Sequence, residues 1–112
     1  MSSIDLSFIP ITAVDVPVRF SIKLVDRTYV FTVRYNTAGG FYTADLATVS
    51  PAETLCYGEV IRYGKPLFEQ FSDERYPIPV IIPLTKDGAD IAEITPDNFG
   101  STVKLWLLER PS

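Results

Sequence analysis

Apolar and polar positions alternate along much of the first half of this chain. Val18, Phe20, Ile22 and Leu24 alternate with Arg19, Ser21 and Lys23. Tyr29, Phe31, Val33 and Tyr35 repeat that two-residue period against Thr32 and Arg34. Successive side chains of a strand point to opposite faces, so each run predicts a strand with one apolar and one wet face. Asp26-Arg27 between them predicts a tight turn, hence a hairpin whose apolar faces coincide. Asn36-Thr37-Ala38-Gly39-Gly40 then leads into Phe41-Tyr42-Thr43-Ala44-Asp45-Leu46. Glycine permits positive φ, and the segment reads as a second hairpin running to Ala47.

The remaining segments are shorter. Ile4, Leu6 and Phe8 alternate with Asp5 and Ser7, predicting a strand ended by Pro10. Ser50-Pro51-Ala52-Glu53 fits a capping box with proline at the first helical position and predicts a single helical turn. Glu59–Tyr63 reads as a strand. Lys65–Phe71 fits a short helical turn or an irregular loop pinned by aromatic residues equally well. Pro77, Pro79 and Pro83 bracket Val80-Ile81-Ile82; proline lacks a ladder donor, which suits an edge strand. Lys86–Asp90 predicts a turn, and Thr95–Asn98 a turn or helix start. Val103–Leu108 is the last strand, apolar on both sides after Lys104 and therefore expected to be covered on both. The fold class expected is all-β: a single domain, residues 1–112, forming an antiparallel β-sandwich or partly open barrel of about seven strands with at most one or two short helical turns.

Composition narrows the chemistry. The 112 residues include a single cysteine and no histidine. No intrachain disulfide or thiolate cluster can form, and the commonest general base and metal ligand is missing. Cys56 reads as a small buried residue; a reactive thiol would need a cationic neighbour or helix N-terminus. The net charge is −4, with no run of basic residues. Specific nucleic acid binding and adhesion to an anionic membrane are not expected. No apolar run approaches the roughly 20 residues of a membrane-inserting helix. The start of the chain lacks a basic segment followed by an apolar one, so synthesis in a cytoplasm is expected.

Carboxylates are the only catalytic groups in quantity. Asp73-Glu74 and Asp87, Asp90 and Glu93 sit among turn residues, where solvated side chains are the better reading than a hydrolytic pair. Asp87-Gly88-Ala89-Asp90 lacks calcium-loop spacing, and Gly39-Gly40 precedes a strand rather than a phosphate-cradling helix. Tyr29, Phe31, Tyr35, Phe41 and Tyr42 could form a stacking platform but lack a basic groove, and core packing is the better reading. No catalytic residue, cofactor or metal site is expected. The two-sided apolar strand Leu105–Leu108 and the proline-blocked segment 77–84 instead point to a protein interface, with Val80, Ile81, Ile82, Trp106 and Leu108 as candidates.

The order of features resembles a known family. A strand ending Arg34-Tyr35-Asn36 passes through a glycine-containing turn into Phe41-Tyr42-x-x-Asp45-Leu46. Tyr57-Gly58-Glu59-Val60, Gly64-Lys65-Pro66-Leu67-Phe68 and Asp97-Asn98-Phe99-Gly100 follow before the last strand. This is similar to the small baseplate plug domain of contractile-tailed phages, cyanophages included, over roughly residues 10–109. Phe41 stands where that family often has Trp. The resemblance implies a non-enzymatic virion protein of the tail baseplate, made in the host cytoplasm. It would contact baseplate hub, tail-tube or spike proteins, in several copies of a symmetric assembly, and help plug or connect the central channel. By the same resemblance Asn36 would fix the hairpin turn with Gly39 and Gly40, Asp45 would anchor a loop, and Gly100 would permit the turn before the final strand. The other functions weighed are a carbohydrate- or ligand-binding β module with aromatic residues stacked on sugars, and a small carboxylate hydrolase.

Overall fold

The computed structural model describes residues 7–25, 27–69, 75–77, 79–88 and 93–108. The elements are β1 (Ser7–Ile9), a single 3-10 turn (Ala13–Asp15), β2 (Val18–Leu24), β3 (Arg27–Asn36), β4 (Phe41–Val49), β5 (Ala52–Ile61), β6 (Val80–Thr85) and β7 (Val103–Leu108). They form two antiparallel sheets, one ordered β2-β3-β4-β5 and the other β1-β7-β6. The chain is all-β, as its alternation predicts.

The first hairpin runs from Val18↔Val33 to Leu24↔Arg27 without a register shift. Val25 stands in the turn at φ 65. The turn is therefore one residue earlier than Asp26-Arg27, with Arg27 opening β3; Asp26 lies outside the described residues. The second hairpin pairs Asn36 with Phe41 and Tyr29 with Thr48. Phe31, Val33, Tyr42, Ala44 and Leu46 are buried on its inner face, together with Ile9, Ile81, Val103 and Leu105 from the other sheet. One core thus lies between two sheets, a sandwich rather than an open barrel. Phe20 stacks on Phe31 and Tyr42 on Phe99 within it.

The segment at residues 50–53 corrects the expected helical turn. Val49 pairs with Ala52 and Thr48 with Glu53, so Ser50-Pro51 is a two-residue hairpin link. The Thr48 hydroxyl donates to the Pro51 carbonyl at 2.6 Å. The cross-strand ladder satisfies the backbone groups that a helix start would have used, and local capping preference yields to it. In consequence β5 begins at Ala52 rather than Glu59. Leu67–Glu69 is a turn, so the described part of 65–71 is irregular. The expectations for Ile4–Leu6, Asp73-Glu74, Phe71 and Asp90 fall outside the described residues.

Candidate interaction surface

Register places one set of side chains on the outside of the three-stranded sheet. Trp106 of β7 lies opposite Phe8 of β1 on one side and Ile82 of β6 on the other. Val80 faces Leu108, and Leu84 faces Lys104, on neighbouring rungs. Alternate positions point the other way: Ile81, Pro83, Val103 and Leu105 are buried. Six of the seven outward positions are apolar, on a face that would be wet in an ordinary half-buried sheet. Phe8 is 36% exposed, while Val80, Ile82, Leu84 and Leu108 are half-buried.

Trp106 organises this face. Its indole N–H donates to the Leu84 carbonyl at 2.9 Å, which satisfies the polar atom and lays the ring along the sheet. The Phe8 ring meets it edge-on with centroids 5.3 Å apart. The Lys104 ammonium sits 4.2 Å from the Phe8 ring centroid, a cation–π contact. Among the expected interface residues, Ile81 is placed differently. It is 1% exposed and belongs to the core, and Trp106, although on the outward side, is itself only 7% exposed. Phe8 and Leu84 join the face in place of Ile81; only the pairing of β1 with β7 brings Phe8 there.

The β6 edge beside this face is closed. The Leu67 and Gly64 amides donate to the Ile81 and Pro83 carbonyls, both at 2.8 Å. The Tyr63 hydroxyl accepts the Thr85 amide at 3.2 Å, and Pro83 has no N–H. Strand β6 therefore pairs within its own chain. The loop that closes it is held by Glu59, whose carboxylate accepts the Phe68 amide at 2.9 Å. Phe68 adopts φ 61, rare for a bulky residue, with its ring buried near Phe31 and Tyr76.

The turn residues have definite partners. The Asn36 side-chain oxygen accepts the Gly39 amide at 2.9 Å and its carbonyl accepts that of Gly40 at 2.7 Å. Asp45 accepts the Gly58 amide at 2.8 Å and pairs with Arg34. Gly100 donates to the Val103 carbonyl at 2.7 Å, closing the turn before β7. Apart from the Asp45–Arg34 ion pair these contacts hold backbone, and none forms a reactive pair.

Catalytic alternatives find little support in the described residues. No group of His, Cys, Asp and Glu there could hold a metal ion. Asp87 accepts the Thr85 hydroxyl in its turn. Burial, and then Glu59 and Asp45, push the Cys56 thiol up, opposite to the activation a nucleophile needs. Tyr29, Phe31 and Tyr42 are core residues; on the outer face of the large sheet, Tyr57 stands exposed with Arg34 above its ring. The shallow hollow there, about 230 Å³, is lined by Arg19, Thr32, Arg34, Asp45, Thr54 and Tyr57 among others.

A model of the family described as the cyanophage baseplate Pam3 plug gp18 matches residues 6–110. The chain belongs to that family. Among curated proteins, none matches it. The match spans both sheets and both hairpins, so the baseplate plug family covers the whole sandwich. It is a structural family rather than an enzyme class, and it places the chain in the tail baseplate of a virion, in association with other baseplate components.

Proposed function

We propose that this baseplate plug protein is a non-enzymatic packing element that docks on hub, tail-tube or spike proteins and helps close or connect the central channel. It is made in the host cytoplasm and enters a symmetric assembly in several copies. The observation that carries this reading is the outward row Phe8–Trp106–Ile82, flanked by Val80, Leu84 and Leu108. The small sheet presents Phe8, Val80, Ile82, Leu84 and Leu108 around a buried Trp106, beside an edge that its own loop has closed. Such a face binds by shape and apolar burial rather than by strand addition. A net charge of −4 is compatible with a place near a DNA conduit, since the part would not grip phosphates.

The test is co-expression with the hub, tube and spike proteins of the same phage. The wild-type chain is expected to co-purify with at least one of them. Ile82→Asp and Leu108→Asp should fold and lose that association. Ile81→Asp should instead fail to fold, because it places a charge in the core one residue away. A wild-type chain that stays a monomer in the presence of all three components would refute the proposal.

A further inference from the structure

The two sheets have four edges, and they are not alike. The β6 edge is closed by Gly64, Leu67 and Tyr63. Strand β1 has three residues and runs into Pro10. Strand β5 is broken by two register shifts, and its Leu55 carbonyl takes the Tyr76 hydroxyl. Strand β2 differs from all three. It has seven residues in unbroken register with β3, and among the described residues nothing bonds to its other side.

In an antiparallel ladder, residue pairs that exchange hydrogen bonds alternate with pairs that do not. A two-residue loop makes the closing pair, Leu24–Arg27, a bonded one. Ile22, Phe20 and Val18 then bond to β3, and Arg19, Ser21 and Lys23 direct their N–H and C=O groups away from the sheet. The same three residues carry exposed side chains on the outer face. Arg19 and Lys23 are in no ion pair among the described residues. On the inner face Val18, Phe20 and Ile22 are only half-buried, an apolar lip at the border of the core.

We propose that the β2 edge receives an extended strand of another protein, patterned acidic–apolar–polar–apolar–acidic. The acidic residues would lie across from Arg19 and Lys23, the polar one across from Ser21, and the two apolar ones would extend the core over Phe20 and Ile22. A second copy of this chain fits poorly. Full antiparallel overlap of two β2 edges, centred on Ser21, sets Arg19 against Lys23, and like charges directly opposite repel. Nor does the chain hold a suitable donor. Glu93-Ile94-Thr95-Pro96-Asp97 has the alternation, but Ile94 is buried and the Thr95 carbonyl accepts the Asn98 and Phe99 amides in a turn. The site is separate from the outer face of the small sheet, and its test does not depend on what binds there.

The probe is a peptide containing Glu-Val-Thr-Val-Glu, titrated into the ¹⁵N-labelled full chain. Amide shifts are expected in β2 and along its β3 partners, with slowed hydrogen exchange at Arg19, Ser21 and Lys23. The double variant Arg19→Glu/Lys23→Glu alters exposed side chains and should keep its circular dichroism. It should bind the acidic peptide at least about tenfold more weakly and bind Lys-Val-Thr-Val-Lys in its place. Failure of millimolar acidic peptide to shift the wild-type spectrum would overturn the proposal. So would shifts centred elsewhere, or equal binding of both peptides by both proteins. A concentration-dependent dimer of the free chain, lost in the double variant, would make a second copy the occupant and overturn it equally.

Discussion

The Asp45 carboxylate accepts the Gly58 amide at 2.8 Å across a break in the β4–β5 ladder. Ala44 pairs with Glu59 and Leu46 with Cys56, so Tyr57 and Gly58 together oppose the single residue Asp45. Gly58 takes φ 77, the left-handed conformation of a glycine bulge. One side-chain oxygen thereby replaces the ladder bond that the bulge removes, while the other oxygen meets Arg34.

The two bonds should differ in worth. Arg34 is 44% exposed, so its pairing is largely screened and contributes no more than about 1 kcal/mol. The part-buried Gly58 amide loses its acceptor when the carboxylate goes, and an unsatisfied donor costs about 1–3 kcal/mol. Asp45→Ala is therefore expected to lose about 3 kcal/mol in chemical denaturation, and Asp45→Asn, which keeps an oxygen for Gly58, about 1 kcal/mol. Equal losses in the two variants would mean that the ion pair, not the bulge bond, is what the fold depends on.

Gly100 carries a different constraint. It stands at φ 83, and a Cβ built on it would lie 2.4 Å from the Thr12 Cα and 2.5 Å from the Ile11 carbonyl oxygen. Those atoms are backbone and cannot rotate aside. The segment 11–13 is itself tied to this turn, since the Ala13 amide donates to the Phe99 carbonyl. Gly100→Ala should cost at least about 2 kcal/mol from the clash and the backbone conformation together. Gly64→Ala is the control, with φ 75 and open space around its Cβ; it should lose about 1 kcal/mol from conformation alone. Melting curves that rank the two variants in the reverse order would disprove the close-contact account.

How far these features could be read from the chain depends on how local they are. Strands β2 and β3 and the turn at Gly39-Gly40 are written in strict alternation and glycine placement. The edge position of β6 follows from its prolines. Strand β5 was hidden because its two register shifts disturb the alternation of Ala52–Ile61, and because Ser50-Pro51-Ala52-Glu53 satisfies a helix-start pattern that only the β4 ladder overrides. In the apolar run Val80-Ile81-Ile82, composition alone could not separate the outward residues from Ile81, since both faces of β6 are apolar. Phe8 and Leu84 entered the outer face only through pairing with distant β7. The Glu59–Phe68 bond, which steadies the loop closing that edge, has no sequence pattern that announces it.

The last expectation concerns alkaline pH. Burial raises the Cys56 thiol above its ordinary value of 9.0; Glu59 and Asp45 add to the shift, and a backbone hydrogen bond at Tyr57 opposes it. Burial, and then the neighbouring Tyr35, raise Tyr42 above 10.0. Each group holds its proton in the folded chain at a pH where the unfolded chain has released it. Where the native state binds more protons, stability falls with rising pH. The stabilising difference is thus complete below the unfolded values and is lost as pH climbs through the folded ones. Melting temperature should hold through neutral pH, begin to fall above pH 9.0, and fall further above pH 10.0. Cys56→Ala should remove the first decline and leave the second. Native Cys56 should also react with iodoacetamide more slowly than the same residue in denaturant at neutral pH, because less of it is thiolate. If Cys56→Ala and the parent chain lose stability at the same alkaline onset, the thiol is not the group responsible.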